Sequence, residues 1–307
     1  MEPYEKKIFS LIEKDKKIII LTAENRISLR NIPPKIEDNF IDVGISEQNL
    51  VGIGAGLAKT GFLPIMHGMS AFLTMRAFEF IRTDLGYPSL PSVLVGTFNG
   101  LSASANGTAN GPTHQAIEDI ALMRLVPNMT VVIPSDLPET LSILENIDKL
   151  NGPLYIRDSN FGTINLERKP FEWLKNECMI QGENIAILSY GTILDICISV
   201  SKKLSSENIS HSIYNMRFIK PMDNNILNEI FEKHEIIFVI EDHLNTGALS
   251  SIVKEYAFDK NKLKKVVSIN LKNNFFRPGN FEDALNTAGF SQNKIYEKIK
   301  KEVKITS

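Results

Sequence analysis

The side chains best placed for chemistry lie in four short segments, each at a predicted junction between a strand and a helix or loop. Residues 42–49, Asp-Val-Gly-Ile-Ser-Glu-Gln-Asn, set one carboxylate, Glu47, just ahead of the glycine-spaced apolar run Leu50-Val-Gly-Ile-Gly-Ala-Gly-Leu57. That junction falls at the carboxyl edge of a parallel sheet, where α/β folds hold ligands, and a carboxylate there offers proton transfer or hydrogen bonding. Taken alone, Glu47 also fits an ordinary acid in a helix's first turn, where the dipole favours negative charge. Ser70-Ala-Phe-Leu-Thr-Met-Arg-Ala-Phe-Glu-Phe-Ile-Arg82 has the spacing of an amphipathic helix, with Phe72 near the sheet edge and Phe78 and Phe80 placed for packing. In Asn110-Gly-Pro-Thr-His-Gln-Ala-Ile-Glu-Asp119 a Gly-Pro turn and a capping Thr113 put His114 at a helix start, where the dipole favours a neutral, hydrogen-bonding imidazole. Arg157 ends the run Leu154-Tyr-Ile-Arg and suits either an anionic or hydroxylated ligand or an ion pair.

Positioning these groups requires alternating strands and helices. Apolar β-branched runs at residues 17–21, 40–43, 63–67, 92–97, 130–133 and 154–157 read as strands, with helical patterns at 4–13, 48–59, 71–85, 114–125 and 136–149. Asp136, three residues before Glu139, supplies an N-terminal capping arrangement. A polar stretch at 160–170 interrupts the pattern, which resumes with strands 184–189, 212–216, 236–240 and 265–268 and helices 192–204, 225–232 and 247–256. The fold class expected is α/β, with two doubly wound, mainly parallel domains at 1–165 and 181–307 and a linker at 166–180. A chain of 307 residues, 43% hydrophobic, can bury two ordinary cores.

A net charge of −2 leaves no electrostatic footprint for nucleic acid or an anionic membrane. The two cysteines, Cys178 and Cys197, lack metal-type spacing and form no disulfide framework, so no metal ligands are expected. No run reaches the roughly 18 apolar residues of a membrane span, and the N-terminus lacks the apolar stretch of a signal peptide. A cytoplasmic location is expected.

In order, over residues 16–300, these segments resemble the transketolases, thiamine-diphosphate enzymes that move two-carbon units between sugars. The stretch around Glu47 resembles their cofactor-activating glutamate segment, Ser70–Arg82 their Phe-rich helix, and Gly-Pro-Thr-His-Gln at 111–115 a segment whose histidine faces the substrate. The resemblance implies a pyrimidine-binding domain followed by a transketolase C-terminal domain. It implies that Glu47 bonds ring atom N1′ and promotes loss of the thiazolium C2 proton, that Phe72 covers the pyrimidine, and that His114 meets the substrate. It further implies cofactor contacts from Glu24 and Asn110, and a substrate site lined by His114, Arg157, Asn110 and Phe98. Met216–Asp223 and Val239–Ala248 resemble the domain that makes dimer contacts, so His243 is expected to be structural.

The chain also departs from the family pattern. The Gly-Asp-Gly motif that holds the diphosphate through Mg²⁺ or Ca²⁺ is absent. The implied partner is an N-terminal transketolase subunit carrying that motif, in a heterotetramer built on a homodimer of this chain. Asn110 stands where an aspartate reads acceptor hydroxyls, Phe98 where a histidine contacts phosphate, and the upstream arginine of the phosphate pocket has no clear equivalent. The implied activity is transfer of a two-carbon ketol unit from a ketose to an aldehyde or ketone acceptor, with a modified or nucleotide-linked sugar as candidate acceptor. The alternatives are a decarboxylating subunit, of the 2-oxo acid dehydrogenase β or deoxyxylulose phosphate synthase kind, and a catalytically silent scaffold.

Overall fold

The computed structural model describes residues 1–26, 28–104, 111–159, 164 and 168–306. Its strands are β1 (Ile18–Thr22), β2 (Phe40–Asp42), β3 (Leu63–Met69), β4 (Ser92–Thr97), β5 (Thr130–Val132) and β6 (Pro153–Arg157), then β7 (Glu177–Ile180), β8 (Asn184–Ser189), β9 (His211–Asn215), β10 (Phe218–Lys220), β11 (His234–Ile240) and β12 (Lys265–Ile269). They build a seven-stranded sheet in the order β10-β5-β6-β4-β3-β1-β2 and a five-stranded sheet in the order β12-β11-β8-β9-β7. All neighbours run parallel except β10 on β5 and β7 on β9. Both sheets are doubly wound α/β layers.

The pleat explains how the layers stack. Successive side chains on a strand point to opposite faces. Ile18 and Ile20, Val93 and Val95, and Leu154 and Ile156 pack into one core, while Ile19 and Leu21, Leu94, and Tyr155 pack into another on the opposite face. That second core also takes Ala186 and Leu188 of β8 and Ile237 and Val239 of β11. Ile185, Ile187, Ile236 and Phe238 face a third core on the outer side of the smaller sheet. The two halves therefore share a continuous middle layer of apolar side chains.

Three differences from the sequence reading bear on the site. Strand β7 lies within the stretch expected as linker, and β10, although it belongs to the second half, completes the edge of the first sheet. The helix expected at 71–85 is widened into π-helical turns at Phe72–Arg76 and Ile81–Gly86 around a short α-helical segment. The helix expected from residue 114 begins at Asp119, after a 3₁₀ turn at Pro112–His114 and an extended stretch. Local periodicity does not separate an α-turn from a π-turn, and short strands are decided by the neighbour they pair with.

Candidate active site

The carboxyl ends of β1, β2, β3, β4 and β6 come into register along one edge of the large sheet, with Thr22 opposite both Asp42 and His67, and Gly96 opposite Arg157. Past β2, Ser46 leads into the helix Glu47–Lys59, which packs closely on β3. A Cβ added at Gly54 would lie 2.3 Å from Met66 Sδ, so the glycine spacing serves close approach. Glu47 opens this helix and is only 2% exposed.

Glu47 is not an ordinary solvated acid. Arg76 Nη1 donates to its Oε2 at 2.6 Å, and the Arg76 guanidinium lies 4.4 Å from the Phe72 ring centroid. Phe72 in turn meets the His114 ring edge-to-face, centroids 5.3 Å apart and planes at 71°. Thr113 Oγ1 is 2.9 Å from His114 Nδ1. Three sequence-expected residues, Glu47, Phe72 and His114, thus form a linked series through Arg76. The sequence reading missed Arg76, although its position four residues after Phe72 on a helical segment was the available signal. The helix dipole argument for His114 does not apply, because the helix starts five residues later.

The remaining expected residues fall in different surroundings. Glu24 is exposed at the end of β1 in a left-handed conformation, φ +58°, and its backbone N–H donates to Asp42 Oδ1 at 3.1 Å. Arg26 pairs with the same carboxylate. Phe98 follows β4, half-buried, also left-handed at φ +56°. Non-glycine residues in this region cost about 1–3 kcal/mol and cluster at functional sites, which fits their place on the site edge. Asn110 lies outside the described residues.

Arg157 departs from the expected substrate role. It is 1% exposed; its Nε donates to Asp119 Oδ2 at 2.9 Å and its Nη1 to Asp242 Oδ1 at 2.8 Å. Burial works against its charge, but Asp119 and Asp242 outweigh that and raise its pKa well above the usual value. Four of its five N–H donors go to two buried carboxylates and to the Ala116 and Asp242 carbonyls, and at 1% exposure it is set in a buried ion-pair network rather than at an open surface. Asp242 also accepts from Leu101 N at 3.0 Å, and a Cβ at Gly100 (φ +51°) would fall 1.9 Å from its Oδ2. The second half of the chain therefore grips the loop after Phe98. It grips the segment after His114 as well: Leu244 N donates to Ile117 O and Gln115 Nε2 to Phe276 O. His243 is fully buried, and Ala121 N donates to its Nε2 at 3.4 Å, a packing arrangement.

Among the described residues no group of three or more His, Cys, Asp or Glu side chains could hold a metal ion, and no helix is long and apolar enough to cross a membrane.

The transketolase pyrimidine-binding domain matches residues 4–160, and the transketolase C-terminal domain residues 175–295. A protein of Methanocaldococcus jannaschii, provisionally named transketolase C-terminal section, is 30% identical over 98% of this chain and 95% of its own length. The 1-deoxy-D-xylulose-5-phosphate synthase of Dictyoglomus thermophilum is 33% identical over 97% of this chain but only 48% of the synthase, so the chain spans about half the length of that relative. Among solved structures, a split-gene transketolase described as an inactive beta4 tetramer superposes with a TM-score of 0.83, at 29% identity over 97% of this chain and 95% of the other. The transketolase of Campylobacter jejuni shares the fold, with a TM-score of 0.76 at 16% identity over 96% of this chain and 45% of that one.

Proposed function

The chain belongs to the transketolase family as a C-terminal section, and from that premise we propose that it is the subunit that completes a thiamine-diphosphate site with an N-terminal partner and transfers two-carbon ketol units between sugars. The observation that carries this reading is the alignment of a buried carboxylate, an aromatic ring and an imidazole, Glu47, Phe72 and His114, along one sheet edge. The set suits the aminopyrimidine end of the cofactor. Glu47 offers one carboxylate oxygen, Oε1, that accepts no hydrogen bond among the described residues, and Phe72 offers an apolar surface. The diphosphate end, with its Mg²⁺ or Ca²⁺, is assigned to the partner, because the chain has no Gly-Asp-Gly motif.

When bound, the cofactor supplies the carbanion-forming chemistry that cleaves a ketose. Glu47 holds a hydrogen bond at the pyrimidine ring and so sets its protonation. Phe72 packs the ring, and His114, with Nδ1 held by Thr113, presents Nε2 to a substrate oxygen. Glu24 is assigned to the cofactor side of the edge and Phe98 to the acceptor rim. Reconstitution with an N-terminal section should give two-carbon transfer from a ketose phosphate to an aldehyde, measured as the aldose released. Carbon dioxide release from pyruvate without ketol transfer would place the chain with the decarboxylating synthases instead, a second reading favoured by the 33% identity to one of them.

The acceptor reading follows from the rim. A buried phosphate dianion without cationic partners costs several kcal/mol, and Phe98 offers none while Arg157 is buried between Asp119 and Asp242. An acceptor without a terminal monophosphate, or with its phosphate held differently, should outperform ribose 5-phosphate in kcat/KM; a clear preference for ribose 5-phosphate defeats the reading.

A further inference from the structure

Arg76 lies in the Phe-rich segment 70–82 but has no role assigned from the sequence, yet it is the only side chain among the described residues that bonds Glu47. It makes two contacts at once, a charge-assisted hydrogen bond of 2.6 Å to Glu47 Oε2 and a stacked contact 4.4 Å from the Phe72 ring centroid. Only a guanidinium, flat and forked, makes both contacts well. Its own side chain is 39% exposed, whereas that of Glu47 is 3% exposed. A carboxylate that deep, left without a cation, is costly to keep charged in place and would turn toward water.

We infer that Arg76 is a positioning residue, which takes Glu47 Oε2, stacks on Phe72, and so leaves Glu47 Oε1 aimed at the ring nitrogen of an aminopyrimidine. Phe72 and Arg76 are the first and last residues of one π-helical turn, four residues apart, so their side chains leave the segment on the same side. This inference rests on Glu47 being the cofactor acid, and its test is chosen to separate the two.

The test compares two ligands on the chain reconstituted with an N-terminal section: thiamine diphosphate, and its analogue in which ring N1′ is replaced by C–H. Calorimetry gives the ratio of their dissociation constants, which reports the bond at N1′ and no catalytic step. The parent protein should favour thiamine diphosphate. Arg76→Ala should lose about tenfold of that preference while binding the analogue as before, because the carboxylate is no longer held. Arg76→Lys, which keeps charge but not the flat fork, should fall between the two. A single cooperative thermal transition for each variant, at a temperature above that of the binding assay, excludes misfolding as the cause. If the parent discriminates and Arg76→Ala discriminates equally, Arg76 is a surface ion pair and the inference fails. If Arg76→Ala binds thiamine diphosphate more tightly, Arg76 competes with the ligand, and the inference fails in the opposite sense. A parent that does not discriminate overturns the Glu47 assignment itself, and the inference with it.

Discussion

Glu47 carries the heaviest chemical assignment, and its substitution gives the most direct test. Glu47→Gln keeps shape and hydrogen-bonding capacity but removes the charge. It should slow hydrogen–deuterium exchange at C2 of bound cofactor by ~100-fold or more, and near-normal exchange would sink the assignment. His67 supplies an independent check on a group with no catalytic part. It is fully buried against Tyr4, whose hydroxyl lies 2.7 Å from Nε2, and burial lowers its pKa from 6.5 to about 4. Because the unfolded chain binds this proton more readily, the stability contribution is complete above about pH 6.5 and is lost as pH falls toward 4, on the order of 3 kcal/mol in all. Urea melts at pH 7 and pH 4.5 should show a steeper loss for the parent than for His67→Gln; parallel losses would mean His67 protonates freely in the fold. At this scale the residues singled out from consecutive motifs, Glu47, Phe72 and His114, lie together in the fold. The sequence was not legible for Arg157, since whether an arginine at a strand end meets a ligand or a buried acid depends on Asp242, 85 residues away.

At the level of elements, the loop after β4 and the segment after His114 are held by the stretch that follows β11. Asp242 bonds Arg157 and the Leu101 amide together, so Asp242→Ala should strip a buried cation of one partner and destabilise the protein by about 3 kcal/mol or more. The same variant should speed hydrogen exchange at the Leu101 amide specifically. Unchanged protection there would mean that the loop is set by its own turns. The apolar, β-branched runs of β1, β4, β8 and β11 announce themselves, because a strand buried on both faces needs apolar residues throughout. Strands β7 and β10 are four and three residues long and pair antiparallel at sheet edges, so pairing rather than composition defines them. The helix Leu249–Asp259 shows a further device invisible in the sequence. Its first amides, Leu249 and Ser250, donate to the Glu241 carboxylate at 2.9 Å each, and Tyr190 donates to it at 3.0 Å. The spot where α/β folds receive anions is filled by the chain's own acid.

For the whole molecule, the question is what this chain can do unaided. On the proposed reading its site edge supplies groups for the pyrimidine end of the cofactor, and the sequence carries no Gly-Asp-Gly motif for the diphosphate. The isolated chain should therefore bind thiamine diphosphate and Mg²⁺ poorly at micromolar concentration, and an N-terminal section should restore binding. Tight calorimetric binding by this chain alone contradicts the division of labour. The overall architecture was readable because two strand-helix series imply two sheets. What could not be read was how they join, since the shared middle core draws on residues from Ile19 to Val253. Strand β10 makes that joining concrete, for it leaves its own half to pair with β5 at the edge of the other sheet. Modular inheritance feels the constraint: a relative's second half grafted at residue 170 imports a foreign edge strand into the resident sheet. Recombination between cousins is therefore expected to tolerate crossovers only where residues 130–132 and 218–220 travel together, which ties the two halves into one heritable unit.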